Sequence, residues 1–70
     1  MGESDKDRLY FVVFCIEQFK RHRGISGREA ENLLHSSRVA AYLNDNYDVL
    51  HTQSVQWLME EIDERLKRQA

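Results

Sequence analysis

The densest cluster of chemically useful side chains is the stretch Tyr47-Asp48-Val49-Leu50-His51-Thr52-Gln53. An imidazole beside a carboxylate can move a proton, and Thr and Gln can orient a polar ligand. Just before a helix, such a stretch also offers N–H groups to an anion. One reading is therefore a small-ligand site or enzyme around Asp48, His51 and Gln53. The plainer reading is internal. Thr52 caps the next helix, Asp48 closes a turn through its own backbone, and His51 hydrogen-bonds to the scaffold. The plainer reading is favoured because such caps are common. A domain this small also seldom encloses a ligand pocket. Asp48, Leu50, His51, Thr52 and Gln53 are given no catalytic role.

The remaining candidates for chemistry are weaker. His22, His35 and His51 include no i, i+4 pair, and a single cysteine is the only soft companion. A zinc site wants three or four nitrogen or sulfur ligands, so no metal site is expected. Cys15 lies within the apolar run Leu9 to Ile16. A reactive thiolate needs an electropositive, partly exposed setting, so a buried, reduced thiol is expected instead. No cofactor-binding residue stands out, and the chain reads as non-enzymatic.

Lys20, Arg21, His22, Arg23 and Arg28 form the one basic cluster. It could touch phosphates or an acidic surface. It also suits the negative end of a helix, which explains most of it. A helix-turn-helix regulator using Arg21, Arg23, Arg28 and Arg38 is the alternative function. Its second helix would present Arg38, Ala41, Asn44 and Asp45, a poor set for reading base edges. The whole chain carries 10 Lys and Arg against 12 Asp and Glu, a formal charge of −2. It therefore lacks the cationic surplus of a phosphate-backbone binder, and nucleic acid is not the expected partner.

These residues need a scaffold, and the apolar spacing predicts helices. Residues Met1 to Ser4 are read as a disordered N-terminus and residues 5–69 as one helical domain. Ser4 or Asp5 can cap a helix from about Lys6. Leu9, Val12, Val13, Ile16 and Phe19 follow the helical repeat. The run is rich in β-branched and aromatic residues, as a strand would be. The helical pattern nevertheless continues through Arg21, basic residues crowd the end, and Gly24 marks a stop. Ser26 and Glu29 have the spacing of a capping box, with Ile25 as a staple. A second helix carries Ala30, Leu33 and Leu34 and ends near His35 or Ser36. Ser36 or Ser37 can cap a third with Val39, Tyr42 and Leu43, ended by Asn44-Asp45-Asn46. Tyr47 to His51 reads as a loop or extended link with Val49 and Leu50 turned inward. Thr52 or Ser54 can cap a last helix striped with Val55, Leu58, Met59, Ile62 and Leu66. Its outer face offers Glu61–Arg65, Asp63–Lys67 and Glu64–Arg68 pairs.

The expected fold is all-α, a small bundle of three to four helices. The long first and last helices pack together through the two stripes above. The longest apolar run is far short of a membrane span. Residues 1–8 show no secretory signal. No membrane association and a cytoplasmic location are expected.

The first helix is apolar nearly all round, because Tyr10, Phe11, Phe14 and Cys15 add to its stripe. A helix of that kind is buried on several sides. A chain of 70 residues has little else to surround it, and small cores need extra stabilisation. The expected partner is another protein chain, self or hetero, contacted through Tyr10, Phe11, Phe14 and Trp57. Trp and Tyr are frequent interface anchors.

The Tyr47–Gln53 stretch, the early Phe11-Val12-Val13-Phe14-Cys15-Ile16-Glu17 run and the late Glu61-Ile62-Asp63 together resemble a family of small bacterial proteins of unknown function. The resemblance runs from about Leu9 to Leu66, and Leu50-His51-Thr52-Gln53 is its most specific part. It implies a bacterial cytosolic protein with no assigned enzymatic activity. It also implies neighbouring genes for ADP-ribosyltransferase-like proteins, and hence an antitoxin-like or accessory role.

Overall fold

A computed structural model describes residues 3–69, with side chains from Asp5 to Gln69. Five helices make up the fold: α1 (Glu3–Arg23), α2 (Gly27–Ser36), α3 (Val39–Asp45), α4 (Tyr47–Leu50) and α5 (Val55–Arg68). There is no strand among the described residues. Of the expected disordered end, Met1 and Gly2 lie outside the described residues. Glu3 and Ser4 belong to α1, so Ser4 does not cap it.

Helix α1 begins on an acidic turn and ends on Lys20, Arg21, His22 and Arg23, the charge order its dipole favours. Gly24 stops it with φ 66°. The Ile25 N–H then reaches back to the Lys20 carbonyl at 3.1 Å, a Schellman closure that folds Ile25 onto the core. The capping box forms as its spacing predicts. Ser26 Oγ accepts the Glu29 N–H at 3.1 Å, and Glu29 Oε1 accepts the Ser26 N–H at 3.2 Å.

Two residues join α2 to α3. Ser37 Oγ accepts the Val39 N–H at 3.4 Å. Arg38 takes the left-handed conformation, φ 69°. That conformation crowds a Cβ against the backbone, so the tight turn is made at a residue ill suited to it. Asn46 ends α3 as expected, its Nδ2 donating to the Tyr42 carbonyl at 2.9 Å.

The segment read as a link is instead the single-turn helix α4. Its geometry turns Leu50 into the core and leaves Val49 65% exposed, which corrects the inward placement of both. Adjacent residues on one helical turn point about 100° apart, so both cannot enter the core. At α5 the cap is Ser54, whose Oγ accepts the Trp57 N–H at 3.1 Å. Thr52 points the other way, its Oγ1 donating to the Val49 carbonyl at 2.9 Å.

Helix α1 packs against α2, α3 and α5 together, rather than mainly against α5. The core contains Phe11, Val12, Cys15 and Phe19 from α1. Ala30 and Leu34 come from α2, Val39, Ala40 and Leu43 from α3, and Leu50 from α4. Leu58, Met59 and Ile62 of α5 complete it, with Ile16 and Leu66 at its edge. Besides Val49, three residues expected in the core are exposed: Leu9, Val13 and Val55. The buried arc of α1 is centred on Cys15, about half a turn from Val13. Val55 stands at the first position of α5, ahead of the turn that enters the core. No helix of the described residues is long and apolar enough to cross a membrane.

Candidate partner-binding site

The helical repeat of α1 divides its apolar residues between two sides. Phe11, expected at the partner surface, is 8% exposed and belongs to the core, its ring edge-on to Tyr47 at 5.6 Å. On the other side Leu9 is 60% exposed, Tyr10 63%, Val13 49% and Phe14 42%. They sit at i, i+1, i+4 and i+5, so they form one continuous patch.

Beside that patch runs an open groove of about 450 Å³. Asp7, Tyr10, Phe11 and Phe14 of α1 form one wall. Tyr47, His51 and Gln53 form the other, with Val55 and Leu58 at one end. Two segments singled out separately in the sequence, the apolar helix and the Tyr47–Gln53 stretch, therefore share one surface. Trp57 is half-exposed on α5 and does not line the groove.

The polar wall is held internally. The His51 ring stacks on Tyr47 with centroids 4.4 Å apart. Its Nδ1 donates to the Tyr47 carbonyl at 2.8 Å, which orients the ring. Arg8, which no sequence pattern marked, ties the wall to α1. Its Nη1 donates to the Asn44 carbonyl at 2.7 Å. Its Nη2 lies 3.7 Å from the Asp48 carboxylate, and its guanidinium 5.7 Å from the Tyr47 ring centroid. Asp48 thus faces Arg8 rather than closing a turn on itself.

The basic cluster is largely committed within the fold. Asp63 accepts from His22 Nε2 at 2.7 Å and from Arg23 Nη2 and Nε at 3.0 and 3.2 Å. This replaces the expected Asp63–Lys67 pair. Lys20 lies 3.2 Å from Glu17. Burial raises the Asp63 pKa, but the His22 and Arg23 bonds outweigh it and hold the carboxyl below its ordinary value. The Ser37-Arg38 connection is also shorter than the three or four residues usual in a helix-turn-helix.

A second clamp joins α3 to α5. Tyr42 Oη donates to Glu61 Oε2 at 2.8 Å, and Arg65 Nε donates to the same oxygen at 3.1 Å. The Arg65 guanidinium lies 3.3 Å over the Tyr42 ring. Burial and the Glu61 carboxylate raise the Tyr42 pKa, while the Tyr42 hydrogen bond leads in lowering that of Glu61. Of the other expected α5 pairs, Glu61–Arg65 forms at 3.1 Å and Glu64–Arg68 at 3.9 Å.

Cys15 is fully buried, and desolvation pushes its thiol up to about 12. A thiol-reactive disulfide reagent at neutral pH should label it more than about a hundredfold slower in the native than in the denatured chain. Rapid native labelling would contradict its place in the core. No group of three or more His, Cys, Asp and Glu side chains among the described residues is arranged to hold a metal.

Apart from Asp7, the two walls and the core beneath them fall inside one stretch of sequence, residues 10–69, which matches the family described as protein of unknown function DUF3791. The chain belongs to the DUF3791 family. Comparisons with curated proteins and with solved structures found no match. The DUF3791 region includes Tyr10, Phe14, the Tyr47–Gln53 stretch and Trp57. Asp7, Arg8 and Leu9 precede it.

Proposed function

We propose that the chain is a non-enzymatic protein-interaction module that docks another protein chain on the outer face of α1. The observation that carries this reading is the exposed patch of Leu9, Tyr10, Val13 and Phe14. Large apolar side chains scattered singly need no partner, but a contiguous patch on a small domain does. The two aromatics are of a type common among interface anchors.

The test is binding by purified components. Any chain that co-purifies in stoichiometric amount is identified, produced separately and titrated against the wild type and a Tyr10→Ser/Phe14→Ser variant. Loss of at least about tenfold in affinity is the expected result. Equal binding by the variant, or a wild type that binds neither itself nor another chain, would overturn the reading.

A narrower version follows the family resemblance. The docked chain is an ADP-ribosyltransferase-like protein, and docking neutralises it as an antitoxin would. Its support is the resemblance alone. The expected result is that wild-type chain suppresses ADP-ribosylation by such a protein and the Tyr10→Ser/Phe14→Ser variant does not.

A further inference from the structure

The outer face of α1 is self-complementary. At about 100° per residue, the stripe opposite the buried arc of Phe11, Val12, Cys15 and Phe19 is Lys6, Tyr10, Val13 and Glu17. Its four-three-four spacing is that of a two-stranded helix seam. All four of these residues are exposed.

We infer that a second copy of this chain covers this face, with the two α1 helices antiparallel about a two-fold axis. The inference rests on the interaction-module reading and names the occupant. With the axis level with the Phe11–Val12 peptide, Tyr10 of each copy meets Val13 of the other. Lys6 of each copy then meets Glu17 of the other. Leu9 and Phe14 line the two flanks, Leu9 beside Ile16 of the second copy. Every apolar residue of the patch gains an apolar neighbour, and both ends of the seam gain an opposite charge. Glu17 already holds Lys20 at 3.2 Å, and a carboxylate has acceptor sites for a second ammonium.

Charge selects the direction. Asp5 and Asp7 lie in the first turns of α1, and Lys20 to Arg23 form its last. Antiparallel pairing sets acidic ends beside basic ends and opposes the helix dipoles. Parallel pairing would stack Lys6 on Lys6 and Glu17 on Glu17. A two-fold interface requires one patch to complement itself, and this patch does. Twenty-one residues of α1 span about 30 Å. One helix face of that length lies at the small end of specific interfaces, so micromolar dissociation is expected.

The experiment is sedimentation equilibrium of the purified full chain from micromolar to millimolar concentration. Wild type should dimerise. Lys6→Glu and Glu17→Lys, each alone, should weaken dimerisation by about tenfold, since each creates two like-charge contacts. An equimolar mixture of these two variants should dimerise again, because the mixed pair restores both attractive contacts. Both positions are exposed, so circular dichroism should show unchanged helix content. A wild-type dimer untouched by either substitution would overturn the seam. A wild-type monomer that still binds a different protein through Tyr10 and Phe14 would overturn self-pairing and leave the interaction-module reading standing. A monomer that binds nothing would overturn both.

Discussion

Phe19→Ala unfolds most of the chain at room temperature, whereas Phe14→Ala does not. The two residues have identical side chains on the same helix, five positions apart. Phe19 is fully buried where α1 meets the rest of the bundle, with the Arg23 guanidinium 5.1 Å from its ring centroid. Phe14 is on the exposed face. Removing a buried phenyl ring costs about 3–5 kcal/mol in transfer and cavity energy. A core in a chain of this length rarely supplies more than about 3–5 kcal/mol in total. The variant therefore sits near or below its own midpoint without denaturant. Truncation at an exposed site changes stability by less than about 0.5 kcal/mol. Urea denaturation followed by far-UV circular dichroism, run at low concentration where copies are separate, measures both. Equal losses for the two variants would mean that α1 is rotated about its axis from the orientation described.

That rotation is also what the sequence alone left undecided. Leu9, Val12, Val13, Ile16 and Phe19 satisfy the helical repeat. Phe11, Val12, Cys15 and Phe19 satisfy it equally well, about a quarter turn round. Hydrophobicity cannot choose between two apolar stripes. The charged residues can: Lys6, Glu17 and Arg21 lie in phase with Tyr10 and Val13, and three charges in line mark the side that faces water. Arg8 sits on the buried side, where its long stem lies along apolar surface and its head reaches Asn44 and Asp48.

Local signals were legible wherever the chemistry was local. The Gly24 stop, the Ser26–Glu29 capping box, the Asn46 break and the Ser54 cap each depend on residues a few positions apart, and each forms. Long-range pairings were not legible. Asp63 has Lys67 one turn away, yet it binds His22 and Arg23, because tertiary packing lays the end of α1 beside the middle of α5. Helix α4 was missed for a similar reason. Its single turn carries no stripe of its own and is held by Leu50 in the core. The groove combines both kinds of information. Each of its walls stood out in the sequence, but their adjacency depends on Tyr47 packing edge-on to Phe11.

Asp63→Asn should destabilise the chain by about 1–2 kcal/mol at neutral pH, and the difference should vanish in acid. The carboxylate is the acceptor that ties α5 to the end of α1, through His22 and both contacting nitrogens of Arg23. It is about one-third exposed, so water screens part of the interaction and the lower end of the range for charged hydrogen bonds applies. The pH dependence follows from the direction of the shift. The folded carboxyl titrates below its ordinary value, so the folded state favours the charged form. The stability this contributes is fully present above the unfolded pKa of about 3.9. It is lost as pH falls through the lower, folded value. Wild type and Asp63→Asn should therefore differ at neutral pH and converge as pH falls below about 5. Glu61 is also held low, with Tyr42 as the first cause, so both chains weaken in acid. Taking the difference between them removes that shared loss. A gap that persisted unchanged down to strongly acidic pH would show that Asp63 acts through its shape and not its charge. The two chains should also report on the basic cluster. Without the Asp63 charge, His22 and Arg23 lose their anionic partner, so a binding surface that needed them free would gain affinity in Asp63→Asn. The interaction-module reading places docking on the other side of α1, and predicts no such gain.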